Sequence, residues 1–577
     1  MALRQHYRVS MPEPWTHRFQ VHWHLEGVAA PLLVKMPVWT PGSYLVREYA
    51  RHLQNLRVTQ NGIPGQVEHE SKNTWMISAA HYPCDLDVFY EIYAGELTVR
   101  TNHLDLSHGY FNGAALFLYT PQDRQSSLTV TIVPPDPTWA IATALPIRSQ
   151  QEDSTTFVAA SYDQLVDSPV EVGIHKRLDF QVLGKPHTWV FWGEGDLDPA
   201  TVQADTVKIV ETASTLFGGL PYENYLFLVH WLPDGFGGLE HRNSTSLIFN
   251  GFGQGDPEHY QRFLALVAHE FFHTWNVKRL RPKALETIDY DQETYLTCLW
   301  FVEGATSYFE NWLLQRAGLL TPPQWLTLLG KQITRLQLTP GRLVQSLRES
   351  SWDTWIKLYR PHENTLNSQV SYYLKGALVC WLLDLHLLER SQGHSSLAMV
   401  FQDLWQRFGQ KDVGYSDQDL REACERAAQG SLDDFWRDYI DGTRELDYNR
   451  FLEPFGLQVV ANGDPGPPYL GLRCQGSLEI TAVEEGSPAQ RAGLWAGDEL
   501  VAINGYKVTS TTWTEHLRRY RPGDTIPITV FQRQQLKTVA VTLADPRPDH
   551  YVIQPLATVS AQQAQRYRQW MALPESP

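Results

Sequence analysis

The spacing of apolar residues changes twice along this chain of 577 residues, and the changes limit the folds that it can adopt. Residues 1 to about 170 alternate apolar and polar side chains, as in HRFQVHWHLEG at 17–27, which is the pattern of β-strands with one face in water. From about 200 to 450, long apolar segments repeat with helical spacing. Strands return after a Gly/Pro cluster, NGDPGPPYLG at 462–471.

These three regions predict a multidomain α+β protein. A chain of this length exceeds the size at which one hydrophobic core keeps growing, so several domains are expected. We predict an N-terminal antiparallel β sandwich over residues 1–170, a mostly helical domain with a small sheet at its front over 171–455, a β-rich domain over 456–546 and a C-terminal tail over 547–577.

Charge and cysteine content exclude several classes of partner. The net charge of −16 opposes binding to nucleic acid or to an anionic membrane surface. The sequence has no run of about eighteen apolar residues that would predict a membrane span, and its first residues lack the apolar core of a signal peptide. The five cysteines show no spacing typical of disulfides or thiolate metal sites. We expect a cytoplasmic protein that binds no nucleic acid and does not span a membrane.

The segment LVAHEFFHTWNVKRLRP, Leu266 to Pro282, holds two histidines four residues apart, with a glutamate directly after the first. On a helix, His269 and His273 lie one above the other on one face, with Glu270 beside them. This HExxH arrangement is typical of zinc sites in which the glutamate removes a proton from water. The alternative is a pair of imidazoles packed in a core, but each would then need a buried polar partner. We predict a catalytic metal site.

A third metal ligand has to come from another segment. Glu303 stands in the apolar run LWFVEGATSYFE, where an unpaired carboxylate would be costly, so we predict that it is this ligand. Glu310 shares its helix face and is the second candidate, and the alternative for Glu303 is a buried pair with an arginine. The acidic residues between the histidines and this run lie in a polar loop that we expect to be solvated: Glu286, Asp289, Asp291 and Glu293.

The third long helical segment begins SYYLKGALV and contains two adjacent tyrosines. A tyrosine hydroxyl near the metal could donate a hydrogen bond to the oxyanion that forms when water attacks a carbonyl. Tyr372 and Tyr373 are both candidates for this donor. The alternative is that they only pack, as most tyrosines on amphipathic helices do.

Upstream of the histidines lies the segment DGFGGLEHRNST. Gly237 and Gly238 allow a backbone to approach a ligand closely, and a strand edge here could pair with a peptide. Glu240 could bind the free α-ammonium of that peptide, which would restrict cleavage to chain ends. The alternative is an ordinary glutamate at a strand edge.

Four of these segments together resemble a known family. GGLEH, HEFFHTWN, WFVEGATSYF and YYLKG, in this order, look like a glutamate-ligand zinc metallopeptidase related to aminopeptidase N, and more closely like the glycyl aminopeptidase family. Members of that family join a β domain, a thermolysin-like domain and a PDZ domain. MPVWTPGSYLVREYARHLQ, Met36 to Gln54, also resembles this family, so the likeness extends to about residue 545.

The resemblance implies one zinc ion with His269, His273 and Glu303 as ligands, and Glu270 as the general base. It assigns the oxyanion donor to Tyr373.

The resemblance also implies that Glu240 holds the amino terminus of the substrate. Two departures from the aminopeptidase N pattern stand out. The spacing from His273 to Glu303 is longer, and His241 replaces an asparagine. The second departure makes the position of the substrate's amino terminus harder to infer.

The last domain, 456–546, resembles a PDZ domain of the bacterial protease type. PYLGLR looks like the loop whose backbone N–H groups bind a peptide carboxylate, which implies a role for Leu470, Gly471 and Leu472. The alternative is a PDZ domain that packs only on its own chain.

We therefore expect a zinc aminopeptidase that acts on peptides with a free N-terminus and a small first residue, Gly or Ala. A C-terminal peptide ligand for the PDZ domain is a further expected partner. The alternatives are a zinc endopeptidase and a non-catalytic peptide-binding scaffold with a structural metal. Asn276 to Arg281, which follow the histidine pair, have no predicted role.

Overall fold

The computed structural model describes residues 3–253, 255–461, 466–474 and 476–573. Asn462 to Pro465 of the predicted Gly/Pro boundary lie outside the described residues. The chain forms two compact units: the first contains residues 1–295 and 405–415, and the second contains residues 296–404 and 416–577. The three boundaries between the four regions drawn from the sequence stay predictions.

The first unit is rich in strands. Its strands are β1 Arg4–Ser10, β2 Arg18–Val28, β3 Leu32–Lys35, β4 Leu53–Gln60, β5 Ile63–Pro64, β6 Gln66–Ser71, β7 Thr74–Ser78, β8 Cys84–Tyr93, β9 His103–Leu104, β10 His108–Phe111, β11 Leu128–Val133, β12 Ala140–Ala142, β13 Ile147–Gln150, β14 Thr155–Ala159, β15 Val170–Gly173, β16 Lys176–Val182, β17 Lys185–Gly193, β18 Tyr225–Trp231, β19 Phe236–Glu240 and β20 Ser244–Phe249. Its helices are α1 Gly113–Leu116, α2 Tyr162–Val166, α3 Pro199–Phe217 and α4 Pro257–Phe272.

The N-terminal part of the first unit is built on an eight-stranded sheet in the order β13-β14-β11-β1-β2-β8-β4-β5. Its strands bury alternate residues, as predicted: Tyr7 and Val9 of β1 and Trp23 of β2 have no exposed surface. One strand pair departs from the predicted antiparallel pattern, because β1 and β11 run parallel. More than a hundred residues of chain separate these two strands, and such a long connection can bring them together in the same direction.

A five-stranded sheet follows in the order β16-β17-β18-β20-β19. Its central strand β18 is buried along its whole length, as expected for a strand with both faces covered. β19 lies at one edge and pairs antiparallel with β20, so its other side is the free edge of this sheet among the described residues. The order of these strands therefore leaves the GGLE segment at an open edge.

The second unit is mostly helical. Its helices are α5 Leu299–Val302, α6 Gly304–Arg316, α7 Pro322–Gln337, α8 Leu347–Trp352, α9 Thr365–Ser368, α10 Tyr372–Arg390, α11 Leu397–Arg407, α12 Asp417–Ala428, α13 Asp433–Phe435, α14 Tyr448–Leu452, α15 Pro488–Arg491, α16 Trp513–Leu517 and α17 Ala561–Trp570. The part of α11 after Leu404 belongs to the first unit. Its strands are β21 Leu457–Ala461, β22 Leu472–Cys474, β23 Ile480–Val483, β24 Glu499–Ile503, β25 Tyr506–Lys507, β26 Thr525–Gln532, β27 Gln535–Thr542 and β28 Tyr551–Pro555. Across the described ranges, no helix has both the length and the apolar character needed to cross a bilayer.

The predicted PDZ domain is an insertion between two paired strands. β21 enters it and β28 leaves it, and these two strands pair antiparallel, with Val459 opposite Ile553. A turn of the inserted segment is also held by Asn367 of α9, whose Nδ2 donates to Val483 O and whose Oδ1 accepts from Glu485 N, both at 2.9 Å. The insertion is therefore anchored at its two ends and at one turn.

The C-terminal residues form part of the helical core, whereas the sequence suggested only a polar tail. Trp570 at the end of α17 is 1 % exposed, and its ring centroid lies 5.2 Å from that of Trp325 and 6.3 Å from that of Trp381. The next carbonyl, of Met571, accepts a hydrogen bond from Gln315 Nε2 at 2.9 Å. A single buried indole thus fixes the tail, while the rest of α17 is polar.

Replacing Trp570 with alanine should lower the free energy of unfolding by about 3–5 kcal/mol, because it leaves a large cavity among aromatic rings. Chemical denaturation followed by far-UV circular dichroism measures this. Trp495→Ala is the matched control, since Trp495 lies in the same unit and is 50 % exposed. Equal stability of the two variants would contradict the burial of Trp570 in solution.

Candidate metal centre

Helix α4 carries the histidine pair. It begins with Pro257, whose missing N–H breaks no hydrogen bond because the first N–H groups of a helix have no partner within it. The Asp256 carboxylate caps the helix by accepting a hydrogen bond from Glu258 N at 3.0 Å. The ring centroids of His269 and His273 lie 4.8 Å apart, one turn from each other. The predicted helix is therefore present, and it places both imidazoles on one face.

The hydrogen bonding of His273 leaves one particular nitrogen for a metal. Its Nδ1 lies 2.5 Å from the carbonyl oxygen of Asn276, which can only accept, so the ring carries its proton on Nδ1. The lone pair of a neutral imidazole is then on Nε2, and a carbonyl that orients a metal-binding histidine in this way is a common arrangement. The start of the segment that follows α4 thus has a role that the sequence did not predict.

Two carboxylates lie beside His273. One ligand atom from each of Glu240, Glu270 and His273 lies within 4.8 Å of the others, and all three residues are at most 5 % exposed. Glu240 Oε1 is buried and has no hydrogen-bond partner among the described residues. Two carboxylates held this closely in a buried pocket need positive charge nearby. The donor set therefore fits a divalent metal ion.

Glycines make this close packing feasible. A Cβ atom at Gly238 would lie 2.2 Å from Glu270 Oε1, so only glycine lets β19 approach α4 at this point. A Cβ atom at Gly42 would lie 2.6 Å from both carboxylate oxygens of Glu240, and Gly42 also has a φ of +88°. Gly42 belongs to the N-terminal TPGSY stretch, so this loop forms a wall of the Glu240 pocket. Sequence reasoning used this stretch for the family resemblance and gave Gly42 no role in the site.

The residues directly after Glu240 are fixed by Asp167. Its carboxylate accepts from Lys278 Nζ at 2.7 Å and from Arg242 N at 2.8 Å, and its Oδ1 lies 3.3 Å from His241 Nδ1. Burial alone would raise the pKa of the Asp167 carboxyl, but the Lys278 ammonium and His241 hold it well below its usual value. His241, which departs from the family pattern, is thus tied to the segment that follows α4.

The same segment is held at a second point. The Arg279 guanidinium is 7 % exposed, and its Nη1 donates to Thr274 O at 2.8 Å and to Arg242 O at 2.7 Å. Residues 276–281 therefore link the end of α4 to the loop after β19. This connection explains the basic NVKRLR sequence that carried no prediction.

In the second unit, two glycines bring Glu303 and Tyr373 close together. A Cβ atom at Gly304 would lie 2.7 Å from the backbone of Gly376, and one at Gly376 would lie 2.7 Å from Trp300 O. The start of α6 and the first turns of α10 therefore touch backbone to backbone. Glu303 is 2 % exposed and its charge, after burial itself, is the main cause that raises the pKa of the Tyr373 hydroxyl well above its usual value.

The structure distinguishes the two candidate tyrosines. Tyr372 is fully buried, and its hydroxyl lies 3.1 Å from Thr354 Oγ1. Tyr373 is half-buried, and its hydroxyl lies 2.8 Å from that of Tyr359. Tyr359 was missed by sequence reasoning because it lies outside every recognised motif.

The remaining acidic candidates are placed differently from Glu303. Glu310 is only half-buried and accepts from Asn311 Nδ2 at 3.2 Å. In the loop of the first unit, Glu286 and Asp289 are exposed, as expected, but Asp291 accepts from Asn73 Nδ2 at 3.0 Å and pairs with Lys35. Asp291 is thus an anchor of this loop.

A second buried histidine–carboxylate cluster lies elsewhere in the first unit. His108 Nδ1 and His230 Nε2 each lie 2.9 Å from a different oxygen of the Glu171 carboxylate. Burial would raise the pKa of Glu171, but the hydrogen bonds from the two histidines lower it to about 2. Each carboxylate oxygen has one histidine partner, while His108 Nε2 and His230 Nδ1 are buried without a hydrogen-bond partner among the described residues.

The predicted carboxylate-binding loop of the PDZ domain is well packed. Leu470 and Leu472 are 3 % and 7 % exposed and belong to the core of this segment. The Leu470 carbonyl accepts from Ala489 N at 3.0 Å and the Gly471 carbonyl accepts from Glu484 N at 2.8 Å. The role of these three residues in binding a peptide stays a prediction.

Comparison with known proteins assigns the family. The sequence profile of the peptidase M61 N-terminal domain matches residues 6–174, that of M61 glycyl aminopeptidase matches 262–379, and a PDZ profile matches 479–525. A crystal structure of an aminopeptidase N family protein from Idiomarina loihiensis is 33 % identical, covers 98 % of this chain and 100 % of its own, and has a TM-score of 0.92. The chain belongs to the M61 glycyl aminopeptidase family of zinc metallopeptidases, as the resemblance implied.

More distant proteins share less with the chain. The crystal structure of an M1 zinc metallopeptidase from Deinococcus radiodurans is 15 % identical over 77 % of this chain and 95 % of its own, with a TM-score of 0.50, so the two share a fold. A Streptococcus pyogenes protein named as a candidate zinc metalloprotease is 48 % identical over 70 residues, or 11 % of this chain. The match spans 17 % of the length of that curated relative.

Proposed function

We propose that this protein is a zinc aminopeptidase that removes a small N-terminal residue, Gly or Ala, from peptides. The observation that carries the proposal is the buried pocket in which Glu240, Glu270 and His273 have ligand atoms within 4.8 Å of one another. A divalent metal ion would balance the charge of the two carboxylates. Glu240 Oε1, which has no hydrogen-bond partner among the described residues, supports binding of the peptide α-ammonium, and family membership supports the preference for Gly or Ala.

His269, His273 and Glu303 are the proposed zinc ligands. The tautomer of His273, the position of His269 one turn away and the burial of Glu303 support this set. When bound, zinc supplies a Lewis acid that polarises the scissile carbonyl and lowers the pKa of water. The remaining steps belong to side chains of this protein.

Glu270 is the proposed general base. Its carboxylate is buried against β19 at Gly238, next to the edge where a peptide would lie. It accepts a proton from the attacking water and gives a proton to the leaving amine.

Tyr373 is the proposed oxyanion donor. Burial and the Glu303 charge raise the pKa of the Tyr373 hydroxyl above its usual value, which favours the protonated form. A protonated hydroxyl can donate to the developing oxyanion, while Tyr359 orients it.

Glu240 is the proposed anchor of the substrate amine. Its Oε1 has no hydrogen-bond partner among the described residues, and the charged ammonium of a substrate would supply that hydrogen bond. Gly237, with a φ of +149°, and Gly238 let a peptide backbone lie against the strand.

We further propose that the loop at Leu470 to Leu472 binds a peptide C-terminus. We also propose that the protein is cytoplasmic.

Glu270→Gln should fold and bind zinc but hydrolyse alanine p-nitroanilide about a thousandfold or more slowly, because the variant has no base to accept the proton. Steady-state kinetics with measured zinc content checks this. Glu258→Gln on the exposed first turn of the same helix is the control and should keep full activity. A Glu270→Gln variant with wild-type turnover would refute the mechanism.

Peptides with a free amine should be cleaved about 10- to 100-fold more efficiently than their N-acetylated forms, since acetylation removes the charge that Glu240 binds. Gly42→Ala should reduce this ratio, because its methyl group displaces the Glu240 carboxylate. The measurement is kcat/KM for Ala-Ala-Ala and acetyl-Ala-Ala-Ala.

Gly62→Ala is the matched control for this ratio. Gly62 has a φ of +79° and open space at its Cβ position, so the control carries the same backbone strain without the contact. Equal cleavage of free and acetylated peptides by the wild type would identify an endopeptidase instead.

A further inference from the structure

The free edge of β19 is closed at one residue by an arginine. Arg100 Nη2 donates to the carbonyl of Gly238 at 3.0 Å. In an antiparallel strand the backbone groups of alternate residues point to the same side, so Gly238 and Glu240 both face the free edge. A peptide can therefore pair beside Glu240, but the next outward-facing carbonyl already has a donor.

Arg100 is held in this position by its own backbone. Its carbonyl accepts from Tyr49 OH at 2.8 Å, and its N–H donates to Thr98 Oγ1 at 3.1 Å. The guanidinium Nε is buried and has no hydrogen-bond partner within the described part of the chain. The side chain thus presents a fixed positive charge beside the free edge of β19.

An open cleft borders this arginine. It has a volume of about 510 Å³ and is lined by residues 97–100, by the turn and strand 232–237 and by Ile248. Phe236, at the start of β19, is 62 % exposed on this side. The cleft therefore lies at the end of β19 opposite to Glu240.

The direction and length of a bound peptide follow from this placement. A peptide that pairs antiparallel to β19 with its amine at Glu240 runs toward Gly238 and then Phe236. Two residues of extended strand, from Glu240 to Gly238, span about 7 Å. The C-terminal carboxylate of a di- or tripeptide then reaches the Arg100 guanidinium.

We propose that Arg100 binds the C-terminal carboxylate of short peptides, so that the preferred substrates are di- and tripeptides with both ends free. This proposal rests on the proposed aminopeptidase function, since it takes Glu240 as the site of the amine. A guanidinium pairs well with a carboxylate, and such charge-assisted hydrogen bonds are about twice as strong as neutral ones. Longer chains would have to displace Arg100 from Gly238 to continue along the edge.

The test compares kcat/KM for Ala-Ala-Ala and for its C-terminal amide, Ala-Ala-Ala-NH2, with alanine release as the readout. Wild-type enzyme should prefer the free acid about 10- to 100-fold, mainly through KM. Arg100→Met should bring this ratio close to one, because kcat/KM for the free acid falls further than kcat/KM for the amide. Arg100→Lys should restore part of the preference, because it restores the charge without the planar donor pair.

Arg177→Met is the matched control. Arg177 is an exposed arginine on β16, the opposite edge strand of the same sheet, so its loss should leave the ratio unchanged. A wild-type enzyme that cleaves the acid and the amide equally well overturns the proposal. An Arg100→Met variant that keeps the preference for the acid also overturns it. A variant whose kcat/KM falls by the same factor for both substrates overturns it as well, because Arg100 would then only support β19. Failure to cleave any free-amine peptide would instead reject the aminopeptidase function.

Discussion

The close approach of two buried carboxylates, Glu240 and Glu270, is the constraint on which the rest of this site depends. Like charges in a buried pocket are unfavourable unless cations accompany them. The sequence places glycine at the two positions where a side chain would block this approach, Gly238 and Gly42. A pocket built at such electrostatic cost is consistent with one that binds a metal ion and an ammonium group together.

The N-terminal β region contributes directly to this pocket. The loop at Gly42 touches the Glu240 carboxylate, and Arg100 bonds to the strand that carries Glu240. The segment after α4 contributes from the other side, because Lys278 reaches Asp167 and thereby fixes the turn at His241. Substrate selection in this protein thus depends on residues that are distant in sequence from the histidine pair.

Local patterns predicted a large part of the fold. The period of two predicted the buried alternation of β1 and β2, and the apolar spacing around HEFFH predicted α4. The short-range features of the site were also readable, because a histidine pair four residues apart has only one arrangement on a helix. Gly237 and Gly238 indicated a close approach of the backbone to a ligand, but the sequence did not show that Glu270 packs against Gly238.

Long-range contacts could not be predicted in this way. The pairing of β1 with β11, the burial of Trp570 in the helical core and the bond from Arg100 to Gly238 join residues more than a hundred positions apart. Trp570 lies in a segment whose composition is polar, so its burial gave no periodic signal.

Zinc-edge anomalous diffraction from crystals of the protein soaked with Ala-Ala tests the central claim most directly. The account predicts one strong peak ligated by His269, His273 and Glu303, with the peptide amine at Glu240. A strongest peak at His108, Glu171 and His230, or an amine that does not contact Glu240, would contradict it.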